Sequence, residues 1–231
     1  MSDKAAELFN KKAAESYDER FQKIRPIRDN LNFLIRLVLE DLPADARILC
    51  VGAGTGIEIV ELATAYPQWR FTGLDPSGPM LDVCRGKLSK HGLVDRCKLV
   101  HGYVSDLPPG GAFDAVLCLL VTQFVTNSAE RQQMFNDMAG QLKSGGYLIN
   151  AEISDNMSSA AFLDIFEKWK AMHRYAGATA VEAENIGKAL NEHVAVEPPA
   201  AIERYLRRSG FSQPVEFFQS LLIHAWYARK D

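Results

Sequence analysis

The segment RILCVGAGTGIEIVELATAYPQWRFTGLDPSG, residues 47–78, decides how this chain folds. Its first five residues, Arg47 to Val51, form an almost wholly apolar run bounded by turn signals, the pattern of a strand buried on both faces. Gly52-Ala53-Gly54-Thr55-Gly56 follows with no spacer. Ile59, Leu62, Ala63 and Tyr66 then recur at helical spacing until Pro67, and Arg70 to Leu74 reads as a strand again. A strand, a glycine turn, a helix and a second strand make a βαβ unit, which forces its two strands to lie parallel.

The same alternation continues outward. Upstream, Leu31, Leu34, Ile35, Val38 and Leu42 predict a helix closed by Pro43. Downstream, Met80, Leu81, Cys84 and Leu88 predict a helix, and Cys97 to His101 and Phe113 to Leu120 predict strands. Asn127 is placed to cap the next helix, with Glu130 reaching back to it. Met134, Phe135, Met138 and Leu142 are its buried stripe, and Gly145-Gly146 its expected end. Tyr147 to Glu152 is a fifth strand. The fold class is therefore α/β, a doubly wound, Rossmann-like sheet.

The tail breaks the rhythm. Phe162, Ile165, Phe166, Trp169 and Met172 mark one amphipathic helix and Ala183 to Leu190 a second, neither preceded by a strand, so residues 154–199 read as a helical insert over the sheet. A helix from Ala200 to Ser209, capped by Gly210, leads to two β-rich runs with only Gln219-Ser220 near their junction. So short a link makes an antiparallel hairpin.

Composition bounds the function. The 231 residues are 47% hydrophobic and 24% charged with a formal net charge of -3, which fits one globular domain and gives no global basic footprint for nucleic acid or anionic membrane. Cys50, Cys84, Cys97 and Cys118 form no CxxC pair, which argues against a zinc or disulfide framework and for a reducing compartment. The sequence offers no apolar run of about 20 residues and no signal-peptide pattern at its start, so the expected location is the cytoplasm. No cluster has metal-ligand spacing.

The chemistry begins at the glycines. They let the backbone turn sharply and a ligand approach closely, while the helix that follows offers unpaired N–H groups. Asp75, 19 residues after Gly56 and at the end of the second strand, can accept from both hydroxyls of an adenosine ribose. A dinucleotide site wants its third glycine at position 57, which is Ile57; the G-x-G-x-G form with Gly56 instead resembles motif I of class I S-adenosylmethionine-dependent methyltransferases. GLDPSGPML, HGYVSDLP, FDAVLCLLVTQFV and LKSGGYLI resemble their later motifs in order, and the resemblance runs from about Tyr17 to Lys230.

That resemblance implies a seven-stranded sheet with its last strand antiparallel, in one domain. Residues 1–42 would be cap helices, 43–153 the cofactor core, 154–199 the lid, and 200–231 the final helix and hairpin. The implied cofactor is S-adenosylmethionine, leaving as S-adenosylhomocysteine. Gly52, Ala53, Gly54, Thr55 and Gly56 would line its methionine and ribose, and Asp75 would hold the ribose. Pro76, Met80, Tyr103 and Val104 would flank the adenine, and Leu119 would meet the methionine through its backbone. Members usually carry an acid two residues before the first glycine to bind the methionine ammonium; here that position is Cys50, which is neutral.

YDERFQKIRPIRDNL, the QF of VTQFV and SGFSQPVEFFQ also resemble the carboxy-S-adenosylmethionine synthases of tRNA wobble-uridine modification. Where those use an arginine for the extra carboxylate this chain has Lys188, which lacks the planar fork, so an ordinary methyl donor is favoured. Arg28, near a cofactor-facing position of the relatives, could pair with the methionine carboxylate. Trp169, His173, Arg174 and Tyr175 are acceptor-site candidates, with His173 or Tyr17 as a general base and His193 and Glu152 as weaker choices. Arg204, Arg207 and Arg208 share a helical face that reads as solvated, though it could touch tRNA phosphates. The expected partner is a small-molecule substrate, with no membrane and a homodimer conceivable. Competing readings are a carboxy-S-adenosylmethionine synthase-like enzyme, a non-catalytic S-adenosylmethionine-binding protein and, more distantly, a nicotinamide dehydrogenase.

Overall fold

A computed structural model describes residues 9–108 and 110–231. Seven strands among them, β1 (Arg47–Val51), β2 (Arg70–Asp75), β3 (Cys97–His101), β4 (Phe113–Leu119), β5 (Leu142–Ile153), β6 (Phe211–Ser220) and β7 (Ile223–Lys230), form one sheet in the order β3-β2-β1-β4-β5-β7-β6. β1 pairs in parallel with β2 and β4, β2 with β3, and β4 with β5. Only β7 runs against its neighbours β5 and β6. The seven-stranded class with its last strand reversed is thus what the chain adopts.

Helices α1 (Lys11–Arg20), α2 (Arg25–Val38), α3 (Ile57–Ala65), α4 (Gly78–Lys90), α5 (Ser128–Gln141), α6 (Ala160–Ala176), α7 (Ala180–His193) and α8 (Pro199–Arg208) surround the sheet. The period-two alternation of β1 explains why both faces are covered. Ile48 and Cys50 enter one core with Leu31, Ile35, Ile59 and Trp69, while Leu49 and Val51 enter the other with Phe135, Met138, Ile202 and Trp226.

Several boundaries differ from the sequence reading. α2 begins at Arg25 with Pro26 in its first turn and ends at Val38, not at Pro43, because proline fits a first turn and Leu39 closes the helix by bonding back to Ile35. α5 stops at Gln141, and β5 starts at once, so Gly145 (φ 73°) and Gly146 lie inside the irregular start of that strand. Asn127 does cap α5, accepting from the N–H of Ala129 and Glu130. The hairpin turns at Leu221-Leu222, with Leu221 at φ 54°, rather than at Gln219-Ser220, which complete β6. In the insert, α7 extends beyond 183–190 at both ends, its start fixed by the reciprocal capping box of Thr179 and Glu182. The insert rejoins the sheet where Ser154 bridges Glu197. Residues 1–8 of the expected cap lie outside the described residues.

Candidate functional site

The carboxyl ends of β1, β2 and β4 open on a common cleft, where a doubly wound sheet places its ligands. Gly52 follows β1 at φ 68°, and a Cβ there would stand 2.3 Å from Val121 Cγ2. Gly56 is left-handed (φ 76°) as it enters α3, and its bare Cα packs where a Cβ would meet Cys84 Sγ at 2.3 Å. Of the loop residues, Gly52 and Gly54 line the cleft; Ala53 is buried with its N–H on Leu74, and Thr55 turns away to donate to Asp18 Oδ1 at 2.7 Å. We expect Gly52→Ala to cost about 1–3 kcal/mol through overpacking, which a thermal melt would read as a Tm lower by roughly 2–12 °C.

Asp75 closes β2 and is 7% exposed. Its Oδ2 accepts from the Gly54 N–H and its Oδ1 from the Ser77 N–H, each at 2.8 Å. Burial pushes its pKa above the ordinary carboxylate range, and those two N–H groups pull it back. A carboxylate offers about four lone-pair sites, so acceptor capacity remains beyond the two bonds already made. On the far side, Pro76, Tyr103 and Val104 line a cavity of 310 Å³ with Glu130, Gln133 and Met134 of α5. Gly52 and Val121 are shared between it and a 60 Å³ cavity walled by Phe9, Tyr17, Gly54, Asp75, Met80, Leu119, Leu120 and Phe124.

The smaller cavity is roofed by the amino-terminal segment. Ser77 Oγ donates to the Phe9 carbonyl at 2.6 Å, and the Phe9 ring lies edge-on to Phe124 and Tyr17. Asp18, held by Thr55 and paired with Lys87, pins α1 to the glycine loop, so the Tyr-Asp pair delivers Tyr17 over the cleft. Burial first, then the charges of Glu58, Asp18 and Asp75, raise the Tyr17 phenol to about 12. It is therefore a hydrogen-bond donor at neutral pH and not a base.

The acceptor candidates on α6 do not converge. Trp169 is buried in the core, while Arg174 is exposed and Tyr175 is 70% exposed. Consecutive residues on a helix point about 100° apart, so a run of polar and aromatic side chains cannot face one pocket. His173, one turn after Trp169, packs its ring edge-on to that indole; its pKa is lowered by burial and by Arg20, and its Nε2 is buried without a hydrogen bond. His193 is exposed at the end of α7, and Lys188 is exposed on the same helix.

Glu152 is withdrawn from any acceptor. It is 0% exposed, as is Arg131, whose Nη2 donates to Glu152 Oε2 at 2.5 Å. Thr122 Oγ1 donates to the same carboxylate, and Arg131 Nη1 reaches the Ala195 carbonyl at 3.0 Å. Ala195 in turn donates to Gln123. One buried pair thus ties the end of β5, the 3-10 turn Thr122–Phe124 and the return of the insert together. Sequence reading missed this clamp, together with Phe9, Val121, Phe124 and Leu120, which sits left-handed at φ 60°. The quoted VTQFV motif was the available signal for Val121 and Phe124.

The residues fit an adenosine-bearing cofactor, since a glycine cradle and an acid with free lone pairs line one cavity that shares Gly52 and Val121 with a larger, base-sized one. Residues 48–146 match the model of a methyltransferase domain. That match and the sheet order around it support a class I S-adenosylmethionine-dependent methyltransferase domain over those residues. The methyltransferase relatives imply S-adenosylmethionine as the cofactor. The chain is 30% identical over 142 residues to a trans-aconitate 2-methyltransferase of Rhodopseudomonas palustris, covering 62% of this chain and 49% of that protein. So this chain matches about half the length of that relative. A carboxy-S-adenosyl-L-methionine synthase of Campylobacter hominis is 23% identical, over 96% of this chain and 94% of its own. An S-adenosylmethionine-dependent methyltransferase of Thermotoga maritima shares the fold at a TM-score of 0.65 and 18% identity, covering 98% of this chain and all of that one. Among the described residues, no helix is long and apolar enough to cross a membrane. No group of His, Cys, Asp and Glu among them could hold a metal ion.

Proposed function

We propose that the chain transfers a methyl group from S-adenosylmethionine to a small-molecule acceptor. The observation that carries this reading is the Asp75 carboxylate fixed by the Gly54 and Ser77 N–H groups beside the 310 Å³ cavity. When bound, the cofactor supplies an electrophilic methyl on a sulfonium. Asp75 receives the ribose hydroxyls beside Met80, while Pro76, Tyr103 and Val104 bound the slot for the base. Gly52 and Gly54 admit the ribose and methionine without a Cβ in the way, and Leu119 contributes its backbone.

Phe9, Tyr17, Leu120 and Phe124 exclude water and hold an acceptor atom in line at roughly 3–3.5 Å. Their apolar surfaces favour an acceptor that is itself largely apolar around the reacting atom. Tyr17 orients the acceptor by donating its phenolic proton. If the acceptor must lose a proton, His173, its pKa lowered by burial and its buried Nε2 making no hydrogen bond, is the candidate to take it, although it lines neither cavity. Calorimetry with S-adenosylhomocysteine tests the reading: saturable binding is expected, and its absence in a folded preparation would refute it.

The alignment over nearly all of both chains supports carboxy-S-adenosylmethionine synthesis as a second reading. The exposed Lys188 weighs against it. Mass spectrometry of nucleoside released from purified protein separates the two, since the product of the second is heavier by one carboxylate.

A further inference from the structure

A further cavity, of 320 Å³, lies between α5 and α8 and shares no residue with the two cavities of the cleft. The two helices are joined by the Phe135 and Tyr205 rings, stacked at 5.7 Å, and by Gln132 Nε2, which donates to Ser209 Oγ at 2.8 Å. The three arginines of α8 do not act as one face. Residues four apart on a helix share a side, and Arg204 and Arg208 both line this space with Tyr205. Arg207 lies outside it and pairs with Glu203 at 2.9 Å. Among the described residues, neither Arg204 nor Arg208 has an ion-pair partner.

The remaining walls are acceptors. Glu197 takes the Tyr205 hydroxyl at 3.0 Å and stands 3.7 Å from Arg131 Nη1, so its carboxylate is fixed and keeps unused lone pairs. Gln132 is anchored through Nε2, which leaves its Oε1 buried with no hydrogen bond. A buried acceptor is costly unless something donates to it. Ser128 adds an exposed hydroxyl at the first position of α5. The next two N–H groups of that helix already end on Asn127, so an anion here is held by guanidinium forks and not by the helix terminus.

Two unpaired guanidiniums a turn apart match a phosphate, whose oxygens accept paired N–H bonds. Glu197 and Gln132 Oε1 only accept, so they require hydroxyl donors on the same ligand. We propose that this cavity binds a sugar phosphate, with the phosphate on Arg204 and Arg208 and hydroxyls on Glu197 and Gln132. Size and charge favour a metabolite over a strand. The cavity falls at the lower end of small-molecule sites, about 300–1,000 Å³, and the Glu197 carboxylate repels a second phosphate. A nucleic-acid strand needs a continuous basic track, whereas this chain carries a net charge of -3.

Titration calorimetry at one low ionic strength, with ribose 5-phosphate as the probe, tests the site. Saturable binding is expected, with ribose and inorganic phosphate each about tenfold weaker. Arg204→Gln combined with Arg208→Gln should weaken ribose 5-phosphate about 10- to 100-fold. Arg207→Gln removes the same charge outside the cavity and should stay within about twofold. All three side chains are exposed, so the variants should melt with wild type. The double variant should bind S-adenosylhomocysteine as wild type does, and failure of the sugar phosphate to bind would leave the cofactor reading standing. Wild type without saturable ribose 5-phosphate binding, or equal losses in Arg207→Gln and the double variant, would overturn the proposal. Inorganic phosphate binding as tightly as ribose 5-phosphate would reduce the site to an adventitious ion only. A short mixed-sequence RNA that binds more tightly and displaces ribose 5-phosphate would also overturn it, assigning the two arginines to a strand.

Discussion

Asp75→Ala is expected to weaken S-adenosylhomocysteine binding by roughly 10²- to 10⁴-fold, because two hydrogen bonds to a charged acceptor disappear together. Each such bond contributes about 1.5–3 kcal/mol, and every 1.4 kcal/mol is about tenfold in affinity. The loss is compounded within the protein. The N–H groups of Gly54 and Ser77 now end on Asp75, and alanine strands both at the floor of the cleft. An unpaired buried donor costs about 1–3 kcal/mol, so the variant should also melt earlier. Asp75→Asn separates the two effects: it keeps an acceptor for one of the N–H groups and turns a donor toward the other. Intermediate affinity is expected by calorimetry. A folded alanine variant that binds like wild type would mean the sugar lies elsewhere.

The second large effect lies beneath the cleft. Arg131→Met leaves Glu152 as an unpaired charge at 0% exposure, and breaking a buried pair in this way costs about 3–5 kcal/mol. For a chain of this size that corresponds to a Tm lower by roughly 6–20 °C. Burial already pushes the Glu152 pKa up against the pull of Arg131 and Thr122, so removing the arginine would raise it further. Arg131→Met combined with Glu152→Met should recover much of the loss, since replacing both charges with apolar groups removes their desolvation penalty. Thermal denaturation of the two single variants and the double variant checks this. Additive damage in the double variant would show that the two residues act separately.

The sheet was legible because its inner strands carry the signal of their burial. RILCV is recovered to the residue because a strand covered on both faces is apolar nearly throughout, and CKLVH, the half-exposed edge strand, is recovered to the residue as well. The ends of elements were harder where the local signal and the tertiary fold disagree. Gly145-Gly146 looks like a helix stop, yet α5 ends four residues earlier because pairing of Leu142 with Phe113 draws the chain into the sheet. Leu221 occupies a left-handed turn that its side chain disfavours, so nothing in its identity announced the hairpin corner.

The cleft was readable in proportion to how local its parts are. Gly52, Gly54 and Asp75 are set by one βαβ unit, and their spacing reports their meeting. Tyr103 and Val104, one strand further on, line the adjoining cavity, which shares Gly52 with the first. The roof is assembled from segments distant in sequence: Phe9 meets Ser77, and Asp18 meets Thr55. Such contacts leave no periodicity behind. WKAMHRYAG gathered chemically suggestive residues in sequence, and helical geometry then dispersed them between core and solvent.

The reversed course of β7 has a practical corollary. Ile153 faces Ile223 at the rim shared with the glycine loop, whereas Tyr147 faces Arg229 at the opposite rim, where Arg229 clasps Asp41. The polypeptide therefore exits after Lys230 on the underside of the molecule, remote from the ligand entrance. A fluorophore, affinity handle or surface tether grafted there leaves the mouth clear. The same cargo spliced ahead of Phe9 would be delivered straight onto the doorway.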